Sequence, residues 1–156
     1  MSLSVTCSKE VTINRVFDAP RDLVWRMWTE AEHVQHWWGP HHFTNPVCEW
    51  DAKPGGKILI HMQGPEGPPY PMTGDFREVV KPERLVFTCQ ALMPDGSPAI
   101  EVKTTVTLTE LDGKTHILLH ASGVGYVDMA VQMFAGMEMG WSQSLEKLEA
   151  HVGGIL

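Results

Sequence analysis

The chain is poor in the features that mark export, membranes and preformed chemistry. It has three cysteines, Cys7, Cys48 and Cys89, an odd number, widely spaced and without a C-x-x-C pair. That excludes a disulfide framework and reads as reduced thiols in a cytoplasmic protein, two of them small core residues. No run of 18 apolar residues occurs, which excludes a membrane-spanning helix. The opening Met1-Ser2-Leu3-Ser4 lacks the basic and apolar pattern of an export signal. Basic residues are the minority, 12 Lys and Arg against 19 Asp and Glu, for a net charge of −7. Nucleic acid and anionic membranes are therefore unsuited as partners. There is no G-x-S-x-G, no paired catalytic Cys and His motif, and no glycine-rich phosphate loop.

What is present is a core-forming chain. At 156 residues and 43% apolar content it is expected to make one domain with a real hydrophobic core, its folded part spanning about residues 9–152. Lys9 to Asp18 alternates, with Val11, Ile13 and Phe17 on one side, and predicts a strand. Pro20 suits the first turn of a helix over Arg21 to Thr29, with Asp18 placed where a cap would be useful. Thr29-Glu30-Ala31-Glu32 reads as a capping pattern for a second short helix ending near Trp37, stopped by Gly39-Pro40. Strands then follow over Thr44–Asp51, Lys57–Gln63, Met72–Val80, Arg84–Ala91, Ile100–Leu111 and Lys114–Ser122. They are broken by the Pro54-Gly55-Gly56 turn, by Gly64 to Pro71 with four prolines and two glycines in eight residues, and by the Asp112-Gly113 hairpin signal. Clean alternation indicates an antiparallel sheet with one wet face, whose dry face needs a cover.

The cover is the last stretch. Ala130, Phe134, Met137, Trp141, Leu145, Leu148 and Val152 recur at spacings of three and four, which predicts one helix from Val127 to Val152, roughly 39 Å long. Glu146, Lys147 and Glu149 are expected to point to water. Met129, Met133, Met137 and Met139 crowd the first half, with Gly136 and Gly140 between. Two glycines inside a helix cost about 1 kcal/mol each and suggest a close approach to the backbone. Flexible methionines suggest a soft wall beside a space.

The order strand, two short helices, six strands, long helix is that of an α+β helix-grip fold, and the residues carry a resemblance. Phe17-Asp18-Ala19-Pro20 with Val24-Trp25, Trp37-Trp38-Gly39-Pro40 and Pro54-Gly55-Gly56 stand in register with Gly74-Asp75-Phe76-Arg77-Glu78-Val79. Pro82-Glu83-Arg84-Leu85-Val86-Phe87, the Lys114-Thr115 turn, and Gly140-Trp141 with Leu145 and Leu148 follow. Over about residues 9–152 the chain resembles activator of heat-shock protein 90 ATPase homologue-like domains of the START-like (SRPBCC) superfamily. The resemblance implies a curved sheet gripping the long helix with a cavity between them. It does not imply one activity: members include ligand carriers, uncharacterised bacterial domains and the domain of a eukaryotic co-chaperone. The co-chaperone's separate N-terminal domain has no counterpart in these residues, so the resemblance argues against chaperone activation.

Three kinds of candidate chemistry remain. His33, His36, His41 and His42 lie within ten residues and imidazole binds zinc. His33 and His36 are one helical turn apart, but a third ligand must come round the Gly39-Pro40 turn, so the set reads as a polar rim, with no metal or other cofactor expected. Glu49, Asp51, Asp75 and Arg77 sit on strands and would serve as acid, base or ligand anchor only if they faced a dry cavity. Trp28, Trp37, Trp38, Trp50 and Trp141 form a large aromatic inventory.

The expected function is binding of a small apolar or aromatic molecule, with Trp37, Trp38, Ile60, Met62, Met72, Phe76, Phe87, Met133, Met137 and Trp141 as its walls and no catalytic residue assigned. The alternatives are a cyclase- or hydrolase-like enzyme using a cavity acid or histidine, and a stress-response protein with a chaperone partner. A homodimer would form through a sheet edge or the Gly64–Pro71 loop.

Overall fold

The structure, a computed structural model, describes residues 4–156; Met1 to Leu3, the start of the segment read as lacking an export signal, lie outside it. Every predicted strand and both predicted short helices are present. Strand β1 is Cys7–Phe17, followed by α1 (Arg21–Thr29) and α2 (Ala31–Trp37). Then come β2 (Thr44–Trp50), β3 (Lys57–Gln63), β4 (Tyr70–Val80), β5 (Arg84–Leu92), β6 (Pro98–Leu111) and β7 (Lys114–Gly125). Two helices, α3 (Ala130–Ala135) and α4 (Met137–Ile155), close the chain. The seven strands form one curved antiparallel sheet in the order β1-β7-β6-β5-β4-β3-β2. Each strand from β2 to β7 thus pairs with its chain neighbour, and β1 joins the end on β7.

The alternation read from sequence decides the two faces. Val11 and Phe17 of β1, Val106 and Leu108 of β6, and Ile117, Leu119 and Ala121 of β7 are buried on the concave side. Leu145, Leu148 and Val152 of α4 meet them there and are buried as well. Removing a leucine or phenylalanine side chain from water stabilises by about 1.5–3 kcal/mol, so this layer holds the sheet to the helix.

Three local expectations are corrected. The long helix is not continuous: Gly136, at φ −95° and ψ 0°, ends α3 and starts α4. Lacking a β-carbon, glycine carries the largest backbone entropy and the weakest preference for a helix interior, and here the chain breaks at it. The 19 residues of α4 extend roughly 28 Å rather than 39 Å. Neither short helix is capped by the residue expected. Pro20 and Glu30 hold the N-cap positions of α1 and α2 without a side-chain hydrogen bond, and the Thr29 hydroxyl donates back to the Trp25 carbonyl at 2.8 Å. Lys147 does not point to water; it turns inward, as described below.

Two glycines let α3 lie close on the sheet. A β-carbon at Gly123 would stand 2.8 Å from the Phe134 ring, and one at Gly125 would stand 2.8 Å from Cys7 Sγ and collide with the Ala130 side chain. No helix is long and apolar enough to cross a membrane among the described residues.

Candidate binding pocket

Between α3–α4 and the concave face of β3–β6 the packing is incomplete. The gap is a pocket of about 250 Å³, partly open to solvent. Its roof is Met133 and Phe134 of α3, Gly136, and Met137, Gly140, Trp141 and Ser144 of α4. Its floor is Met62 of β3, Met72 of β4, Phe87, Cys89 and Ala91 of β5, and Ile100, Val102 and Thr104 of β6. The rim on the α2 side is Trp38-Gly39-Pro40.

The periodicities explain who arrives there. In α4, Met137, Gly140, Trp141 and Ser144 are three or four residues apart and so share one helix face. Gly140 is where a neighbour comes near: its missing β-carbon would sit 3.7 Å from Pro40. In β5 and β6, Phe87, Cys89 and Ala91, and Ile100, Val102 and Thr104, step by two on the inward side.

Seven of the ten side chains expected as walls line the pocket: Trp38, Met62, Met72, Phe87, Met133, Met137 and Trp141. The other three are placed elsewhere. Trp37 is fully buried behind the rim, its indole N–H donating to the Met27 carbonyl at 3.0 Å. Ile60 and Phe76 face inward on the sheet as expected but deeper in the core, outside the lining. Of the four crowding methionines, Met129 and Met139 are exposed. The lining residues not expected as walls are mostly small, Gly39, Pro40, Ala91, Thr104, Gly136, Gly140 and Ser144, and include the larger Cys89, Ile100, Val102 and Phe134. Thr104 carried a signal, since it lies between Val102 and Val106 on the inward face of β6.

The tryptophans form a connected cluster rather than separate anchors. Trp28 meets Trp37 edge-on at 4.5 Å, Trp37 meets Trp38 at 6.0 Å, Trp38 meets Trp141 at 5.3 Å, and Trp141 stacks back on Trp28 at 6.2 Å. Trp50 joins through Trp38 at 5.3 Å and donates its N–H to the Trp28 carbonyl at 2.8 Å. The Trp28 N–H is buried without a hydrogen-bond partner among the described residues. Two members of the cluster, Trp38 and Trp141, reach the pocket and the rest brace them.

The rim is tied down by Lys147. Its ammonium donates to the carbonyls of Trp38, Gly39 and Pro40 at 3.3 Å each and of Phe43 at 3.2 Å. Asn45 Nδ2 adds bonds to the Gln35 and Trp38 carbonyls at 3.0 and 2.9 Å. Gln35 belongs to the last turn of α2 and the other carbonyls to the segment that leaves it, and a cation near a helix C-terminus is favoured. Burial pulls the Lys147 pKa down; four carbonyl oxygens act in the other direction and favour the charged form.

Acid–base chemistry lies away from the pocket. None of its lining residues is Asp, Glu, His, Lys, Arg or Tyr. Burial, with a smaller contribution from the Asp75 charge, pushes the Cys89 thiol far above its usual range, and burial pushes Cys48 up to about 11, so neither is a thiolate nucleophile at neutral pH. Glu49 and Asp51 are exposed, and Asp75 pairs with Arg77 at 3.2 Å on the outer face of the sheet. The four clustered histidines do not converge. His41 pairs with Glu146 at 3.1 Å, while His33 and His36 turn to a partner from the far end of the chain, His151 of α4. The His33 Nδ1 to His151 Nε2 distance is 3.0 Å, and His36 stacks on His151 with ring centres 5.0 Å apart. Glu30, Glu32 and His33 bring one potential metal-ligating atom each within 4.8 Å of one another on the surface turn that starts α2.

The fold agrees with what the comparisons find. The family model described as activator of Hsp90 ATPase homolog 1-like protein matches residues 18–153. The chain belongs to this family. Solved structures similar to it share the architecture along nearly the whole chain. A Nitrosomonas europaea protein is 27% identical, with 93% of this chain and 94% of that one covered and a TM-score of 0.78. A Mycobacterium smegmatis protein is 25% identical, with 98% and 100% covered and a TM-score of 0.76. A Silicibacter pomeroyi protein that carries the family's name is 23% identical, with 95% and 100% covered and a TM-score of 0.79, a likeness of fold. No curated protein matches the sequence. The activator of Hsp90 ATPase homolog 1-like family thus accounts for the grip of sheet on helix.

Proposed function

We propose that this protein is a cytoplasmic binding protein for a small apolar or aromatic molecule, held between the sheet and α3–α4. The observation that supports it is the lining: four methionines, four aromatic rings and no charged side chain around about 250 Å³ of space. A far smaller apolar cavity of about 150 Å³ suffices to hold benzene. Burial of ligand surface would contribute about 25 cal/mol per Å², and the methionines can re-pack around partners of different shape. The enzyme reading needs an acid or histidine aimed into the pocket, and the lining supplies neither.

The test is fluorescence titration with the neutral naphthyl ketone Prodan. Binding beside Trp38 and Trp141 quenches tryptophan emission in a saturable way, and Met137→Trp, which fills the roof, abolishes the response while the circular dichroism spectrum stays native. Linear, unsaturable quenching in both proteins would refute a bound site. Family membership supports a second reading, a chaperone-interacting protein; that reading requires capture of an Hsp90-type chaperone by the purified chain and is lost if the two do not associate.

A further inference from the structure

The lining and the rim together carry a statement about charge. The polar side chains of the lining, besides the protonated Cys89, are two hydroxyls, Thr104 on the sheet wall and Ser144 on the helix wall. Both residues are buried, at 2% and 3% exposure, and neither hydroxyl is bonded to another described residue. Each can donate or accept one hydrogen bond to something inside. No charged side chain joins them in the lining. Lys147, three residues on from Ser144, turns to the rim backbone, and its three N–H donors are already shared among four carbonyls. His41, beside the rim, is paired with Glu146. The protein as a whole carries a net charge of −7.

An anion seated against Thr104 and Ser144 on the inner walls would shed much of its hydration and meet no charged lining residue, a costly arrangement for a buried charge. A neutral molecule with one hydroxyl or carbonyl would lose little, because a buried hydroxyl can replace its bond to water. We infer that the pocket is selective for uncharged apolar molecules bearing a single hydroxyl or carbonyl group, and rejects the corresponding carboxylates. This rests on the ligand-binding function proposed above. It names the class of ligand as alcohols, phenols, ketones and esters, as opposed to fatty or aromatic acids.

The experiment uses a matched pair, methyl 2-naphthoate and 2-naphthoate, titrated into the full chain at pH 7.5 by tryptophan quenching and by calorimetry. Prodan is the reference ligand. The ester is expected to bind at least a hundredfold more tightly than the acid anion. Met133→Arg, a substitution on the half-exposed roof helix that sets a cation at the pocket, is expected to raise the affinity for 2-naphthoate at least tenfold. Acid and ester binding within threefold of each other would overturn the selectivity while leaving the carrier function standing. Failure of Prodan and both naphthoates to bind would remove the carrier function and the selectivity with it. Prodan binding without the ester, or an unchanged acid affinity in Met133→Arg, would also count against the charge-based account.

Discussion

At the scale of single residues, Lys147 does work that its neighbours in sequence do not suggest. It sits between Glu146 and Glu149, both exposed, in a stretch that reads as solvent-facing. The fold brings the chain that leaves α2 beneath it, and four carbonyls share its ammonium, of which Trp38 also accepts from Asn45 Nδ2 and Pro40 from the Phe43 N–H. Replacing Lys147 with methionine keeps the aliphatic stem and removes every donor. The expected cost is about 2 kcal/mol, the usual range for hydrogen bonds to a charged group, read as a lower urea midpoint with an unchanged slope. The loss should be local as well. Amide exchange over residues 38–43 should accelerate more than exchange in β6 and β7, which never touch the lysine. Unchanged stability would show that the carbonyls are as well served by water.

At the scale of elements, the informative unit is α3. Its six residues are too few to be helical alone, since isolated helices below about 12–15 residues are marginal in water. It is held by docking, and the docking depends on two positions of β7 that have no side chain. Gly125→Ala would set a methyl group against Ala130 and Cys7. Overpacking of this kind costs about 1–3 kcal/mol, and here it should lift α3 and enlarge the pocket mouth. The expected signature is a lower melting temperature together with faster amide exchange in residues 130–135, with exchange in β4 and β5 unchanged. Uniform destabilisation of the sheet would show instead that β7 itself cannot accept the methyl. Sequence periodicity found the apolar stripe of this region, including Phe134 and Met137. It placed the break nowhere, because a 3.6-residue stripe continues through Gly136 even though the helix does not.

At the scale of the whole molecule, the sequence made the architecture legible and the pocket only partly so. Alternation says which face of a strand is inward, and it was right for Ile60 and Phe76. It does not say how far along the curved face a residue lies, and that depends on register. Ile60 pairs with Met72, and Phe76 with Phe87, so each stands directly beside a pocket residue and is itself covered by core. His151 was invisible for a similar reason: its partners are more than a hundred residues away and are joined to it by the packing of α2 on α4. That contact gives the molecule a pH response. Burial, followed by the nearby His36 and His33, lowers the His151 pKa below its unfolded value of 6.5. The unfolded chain therefore binds more protons just below pH 6.5, so stability is full above that pH and declines as pH falls through the window between the unfolded and folded values. With a chelator present, melting temperatures from pH 7.5 down to 5 should fall more steeply for the natural protein than for His151→Gln. Parallel curves would remove His151 as the source.

The closed circuit of Trp28, Trp37, Trp38 and Trp141, with Trp50 attached, has an optical consequence. Indoles at centre-to-centre distances of 4.5 to 6.2 Å exchange excitation energy much faster than they emit. Light absorbed by a ring deep in the core is shared with the two at the pocket before it is emitted. A molecule seated against Trp38 and Trp141 would therefore be sensed by the entire circuit and not by those two rings alone.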